Sequence, residues 1–200
     1  MPEDVTDLAE LRRAAACCQG CELFRRATAT VFGEGDRDAQ LVLVGEQPGD
    51  REDREGAPFV GPAGHLLDQA LEQAGIDRST VYVTNAVKHF KWEPRGSRRL
   101  HKKPSRAEVR ACQPWLQAEI VAVAPRLVCC LGSTAAEAVI GPGFQVTKHR
   151  GELLEVPNGG PGVVATVHPS SVLRGPPEDR QRNLAAFVSD LSAVARHVGR

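Results

Sequence analysis

The chain has 200 residues, 42% hydrophobic and 25% charged, with 25 Lys or Arg against 25 Asp or Glu. This is the composition of an ordinary soluble globular protein, long enough for one domain with a real core, and its zero net charge points to no particular class of partner. The opening MPEDVTDLAE has neither the basic flank nor the apolar run of a secretory signal, and no stretch approaches the ~20 apolar residues of a membrane span. The expectation is one cytoplasmic domain over residues 1–200, with no membrane association. In a reducing compartment its six cysteines call for an explanation other than a disulfide framework.

In chain order, LVLVG (41–45) is a near-continuous apolar run, as expected of a strand covered on both faces. AGHLLDQALEQAG (63–75) sets Leu66, Leu67, Ala70, Leu71 and Ala74 on one helical face and ends in a capping glycine. VYVTN (81–85) is a second strand. Residues 88–110 carry nine Lys or Arg and two acids, a local basic surface in a neutral protein that suits an anionic contact. Ser105, three residues before Glu108, makes a capping box for a helix over 105–124. RLVCCLG (126–132), STAAEAVIG (133–141), VVATV (163–167) and residues 177–198 continue the alternation of strand and helix. The pattern predicts a three-layer α/β/α sandwich with a central four-stranded parallel sheet.

Ligands of such sheets bind beyond the carboxyl ends of the strands. Each strand here runs into a polar or glycine-rich corner: GEQPGD, Asn85, GST and HPSS. These corners bring a carboxylate, two amides and a histidine towards one crevice.

The segments GEQPGDREDREGAPFVGPAGHLLD, TNAVK and HPSSVLR, in that order, resemble the motifs of the uracil-DNA glycosylase superfamily, most closely its iron–sulfur family 4 type. The resemblance covers about Cys18 to Arg174. It implies that Glu46 and Gln47 surround the base and assist glycosidic cleavage. Phe59 would stack on flipped uracil, Asn85 would read its edge, and His168 would stabilise the departing base. Uracil lies inside the duplex stack and must be extruded at a cost of a few kcal/mol. Cleavage leaves cationic character on the sugar and negative charge on the base, which a carboxylate and hydrogen-bond donors respectively stabilise.

The same resemblance implies a [4Fe–4S] cluster on Cys18, Cys21, Cys112 and His89, with His89 where relatives carry a third cysteine. Cys17 is an alternative to Cys18, and Cys129 and Cys130 read as core. The basic insertion RGSRRLHKKP (95–104) resembles the UdgX subgroup, in which a loop histidine becomes joined to the deoxyribose. That makes His101 the expected nucleophile, Arg99 a substrate-site residue, and Arg95, Arg98, Lys102 and Lys103 DNA contacts. Neighbouring cations should hold His101 neutral and nucleophilic. Imidazole on the sugar carbon is a poor leaving group, so the reaction should stop at the adduct. The expected partner is uracil-containing DNA and the expected state a monomer. An ordinary glycosylase with water as nucleophile, and a non-enzymatic iron–sulfur DNA-binding protein, are the competing readings.

Overall fold

The computed structural model describes residues 7–154 and 160–199; most of the acidic opening segment, residues 1–6, lies outside them. A six-stranded sheet is formed by β1 (Glu34–Gly35), β2 (Leu41–Gly45), β3 (Val81–Asn85), β6 (Leu127–Leu131), β7 (Leu153–Leu154) and β8 (Gly162–Thr166), in the order β1-β3-β2-β6-β8-β7. The four inner strands are parallel, as the apolar runs predict. Two short antiparallel strands, β1 and β7, extend the edges, so the sheet is mixed and larger than the expected four strands.

Alternate side chains of the inner strands explain why each run is apolar throughout. Leu41, Leu43, Val81, Val83, Leu127, Cys129 and Val164 pack in one cluster with Leu67 and Leu71 of α3 (Pro62–Gln73) and with Phe187 and Leu191 of α8 (Arg180–Val198). Val42, Val44, Tyr82, Val128, Cys130 and Val163 pack on the other face with Leu116 of α4 (Arg106–Val123) and Ala136 of α5 (Ser133–Val139). Both faces are therefore buried, as the three-layer architecture requires. A further helix, α1 (Leu8–Ala15), brings Leu11 and Ala15 against Trp115 of α4 and is capped by Asp7. Short helices α2 (Asp50–Glu55), α6 (Val146–His149) and α7 (Pro169–Arg174) complete the chain. No described helix is long and apolar enough to cross a membrane.

The expected capping box is present: Ser105 accepts from the Glu108 amide while the Glu108 carboxylate accepts from that of Ser105. The basic insertion, by contrast, is not an irregular loop. Residues β4 (Trp92–Arg95) and β5 (Arg98–His101) form an antiparallel hairpin closed by Gly96 and Ser97, with Gly96 at φ +60°. Glycine at the first position of a two-residue turn meets the positive φ that primed hairpin turns need.

The chain leaves β2 for β3 on one side and later adds β6 on the other. The loops after β2 and β6 consequently diverge at a switch point, where such sheets open a crevice.

Candidate active site

The crevice begins at the parallel register Gly45–Asn85. A Cβ on Gly45 would lie 2.3 Å from Asn85 Oδ1 and 2.7 Å from the Phe59 ring, so only glycine lets those two side chains converge above β2. Phe59 itself has φ +58°, an unusual conformation for a bulky residue that costs on the order of 1–3 kcal/mol. The turn is accommodated because Gly64 offers no side chain where the Phe59 carbonyl passes: a Cβ there would be 1.6 Å from that oxygen. Asn85 is buried, and its amide pairs with no described residue but faces a cavity of about 400 Å³ shared with Phe59 and His168.

His168 caps α7. Its Nδ1 accepts from the Ser170 amide at 3.2 Å and lies 2.8 Å from the Ser170 hydroxyl. An accepting Nδ1 places the proton of the neutral ring on Nε2, the nitrogen left to donate. Burial, reinforced by Arg174 and His101, pushes its pKa down to about 4. At neutral pH it is therefore an uncharged donor. The Phe59 and His168 rings stack at 6.3 Å between centroids.

A second cavity of about 280 Å³ adjoins the first and contains Glu46, with Gln47, His101, His168 and Arg174 lining both. His101 thus stands on the wall between a chamber holding Asn85 and Phe59 and one holding Glu46. Its Nε2 is 3.5 Å from Glu46 Oε1, and its side chain is 44% exposed. Its pKa is lowered, chiefly by burial, with Arg174 acting in the same direction and Glu46 opposing. The downward direction is the one expected from the sequence, but its main cause is burial, and the one cation that contributes is Arg174 rather than the hairpin residues.

Arg99 departs most from its expected role. Its guanidinium contacts Asp50 through Nε, Asp53 Oδ2 at 2.6 Å, Thr28 Oγ1 and the Asp50 carbonyl, and it stacks on Phe90 and Trp92. Those donors are spent inside the protein, so Arg99 holds the hairpin rather than facing a substrate. Asp53, fully buried, also accepts the Thr28 amide. Gln47 has a similar use: its amide donates to the carbonyls of Lys91 and Lys102 and accepts from the Lys91 amide, clasping both strands at the hairpin base. Its side chain is occupied by positioning.

Arg95 and Arg98 flank the exposed turn, while Lys102 pairs with Glu93 at 2.9 Å. Lys103 turns to a separate groove beside α4, near Arg106 and Arg110. Reasoning from the sequence missed Arg174, Ser170 and Thr134 as site residues, although all three lie in the HPSSVLR and GST corners.

Among the described residues, no three His, Cys, Asp or Glu side chains are placed to share one metal ion. Cys18 and Cys21 nevertheless pack against the cluster that contains Cys112. The Trp115 indole donates to Cys18 Sγ at 3.2 Å, and the Lys88 amide donates to Cys112 Sγ at 3.2 Å. His89 meets Thr30 at 2.9 Å and lines a small cavity with Cys17 and Cys18. Burial raises the thiol of Cys21 and pushes that of Cys112 up to about 11. Three sulfurs and an imidazole are a soft donor set, and N–H bonds to sulfur are among the contacts that tune iron–sulfur centres. The donor types are those an iron–sulfur cluster would use.

This α/β fold, with a base-sized chamber at the carboxyl ends of its strands, belongs to a defined class. The family model described as "Uracil DNA glycosylase superfamily" matches residues 32–192, and the chain belongs to that superfamily. It is 39% identical over 166 residues to the type-4 uracil-DNA glycosylase of Thermotoga maritima, covering 82% of each chain. It is 36% identical over 193 residues to that of Pyrobaculum aerophilum, covering 90% of this chain and 93% of the relative. With the Archaeoglobus fulgidus type-4 enzyme it shares 34% over 175 residues, 84% of each.

Proposed function

We propose that this protein excises uracil from DNA and then remains covalently attached to the abasic deoxyribose through His101. Uracil enters the larger chamber, where Phe59 offers a stacking face, the free Asn85 amide both accepts and donates, and His168 Nε2 donates to a carbonyl. A neutral donor there stabilises the anionic base as it leaves. Glu46, in the adjoining chamber, faces the developing sugar cation. The type-4 relatives support the glycosylase activity. The observation that carries the covalent step is the position of His101, a neutral imidazole on the wall between the two chambers and 3.5 Å from Glu46.

In that step uracil departs with the electron pair of the N1–C1′ bond, and the lone pair of one imidazole nitrogen forms the N–C1′ bond. The proton on the other nitrogen passes to Glu46 and from there to solvent, leaving a neutral alkylated imidazole. Denaturing electrophoresis of the protein mixed with uracil-containing DNA tests the reading. A heat-stable complex with one molecule of DNA per protein is expected, and thymine-containing DNA should give none. Multiple uracils released per protein molecule, with no stable complex, would establish the ordinary water-using glycosylase instead.

Cys18, Cys21, Cys112 and His89 would hold a [4Fe–4S] cluster that staples the segment after α1 to α4. We expect the isolated protein to be brown, and Cys112→Ala to lose the colour.

A further inference from the structure

The loops after β2 and β6 part at the switch point, and one side-chain contact spans the gap. Thr134 Oγ1, from the second position of α5, donates to Glu46 Oε2 at 2.5 Å. Thr134 is 5% exposed, and its partner is the carboxylate whose other oxygen, Oε1, faces His101. Glu46 follows the last residue of β2 and sits in an open chamber, so its backbone alone leaves the carboxylate free to rotate. The hydroxyl holds one oxygen and thereby presents the other towards the imidazole and the sugar.

We propose that Thr134 is a positioning residue for Glu46, forming a Thr134–Glu46–His101 relay. This rests on the roles given above to Glu46 and His101. In the proposed step Glu46 faces the sugar cation and takes the imidazolium proton, and a carboxylate fixed in one orientation serves both. The relay places a hydroxyl behind a carboxylate much as the carboxylate stands behind the histidine in a hydrolytic triad, where the third member orients and does not react. Neither Thr134 nor its hydroxyl touches the DNA in this scheme; it acts through Glu46.

The test uses Thr134→Val, which keeps shape and removes the donor, with Thr134→Ser as the conservative rescue. Two rates are followed: heat-stable adduct formation in otherwise wild-type protein, and single-turnover uracil release in a His101→Ala background. Thr134→Val should slow both by about 10- to 100-fold, the size expected for losing a hydrogen bond to a charged group, with DNA affinity unchanged. Thr134→Ser should recover most of each rate. Combined with Glu46→Ala, Thr134→Val should add no further loss, because the residue it acts through is gone. Wild-type rates in Thr134→Val, or an equal further loss without Glu46, would overturn the proposal. Absence of any adduct from the wild-type protein would instead refute the covalent reading of His101. The uracil-release arm would then still decide the role of Thr134.

Discussion

The chamber at the strand ends and the hairpin beside it are built on opposite plans. The chamber is assembled from strand ends: Asn85 closes β3, Glu46 follows β2, and His168 follows β8. Beneath it Lys88, 1% exposed, pairs with the fully buried Glu119 and donates to Thr84 Oγ1 and to the Asn85 carbonyl. Glu119 also accepts from the Tyr82 hydroxyl and the Gly33 amide, so its charge is matched by several donors. The hairpin has no such core. Its strands carry mostly exposed residues, and Arg99 and Gln47 fasten it to the body by polar contacts. Under the proposed function, the strand-end chamber would select the base and the tethered hairpin would deliver the nucleophile. Specificity and covalent capture should therefore be separable by mutation.

The sharpest break of the comparison is His101→Ala. It should abolish the heat-stable adduct while uracil release continues, because the chamber contacts of Asn85, Phe59 and His168 are untouched. Mass analysis of the product and assay of free uracil check both halves. Adduct formation by this variant would move the nucleophile elsewhere, with Glu46 first in line.

On the chamber side, removing one member of the buried pair leaves an uncompensated charge. Lys88→Met should destabilise the protein by about 3–5 kcal/mol, measured as a fall in the urea midpoint. Gly45→Ala is the local counterpart, since its Cβ would displace Asn85 Oδ1. Uracil excision should fall by about 100-fold or more with little change in phosphate-mediated DNA affinity. An alanine variant with normal excision would show that Asn85 is not where recognition occurs.

On the hairpin side, Arg99→Met should leave uracil release nearly intact and slow trapping about 10-fold, because the imidazole loses its fixed approach. A fall in both rates together would mean that the hairpin also shapes the base chamber.

The same division governs what the sequence reveals. The four inner strands lie within a residue or so of the predicted runs, because burial on both faces leaves only apolar residues acceptable there. Asn85 and His168 are legible as the residues in which such runs end. The hairpin is harder to see: one of its faces meets water, Pro94 occupies an edge position, and its only local signal is the Gly96–Ser97 pair. The role of Arg99 depends on Asp50 and Asp53, more than 40 residues earlier, and no spacing rule joins them. The Thr134–Glu46 contact likewise joins residues that follow two different strands, 88 positions apart, and no local pattern marks it.

The smallest expected effect concerns pH, and it distinguishes burial from charge as the cause of the lowered His101 pKa. In the proposed step the reactive form is the unprotonated imidazole, so adduct formation should be flat at neutral pH and fall in acid. The midpoint should lie below the ordinary histidine value of about 6.5, because the folded site lowers the pKa. Arg174→Gln removes a cation that disfavours the imidazolium and should move the midpoint upward. Glu46→Gln removes the anion that favours it and should move the midpoint downward, whatever it does to the plateau rate. Because burial is the largest cause, the upward move in Arg174→Gln should fall short of the unperturbed value. Single-turnover trapping measured between pH 4.5 and 8 reads these midpoints directly. If Arg174→Gln alone returned the midpoint to that of a free imidazole, charge and not desolvation would be holding His101 ready to attack.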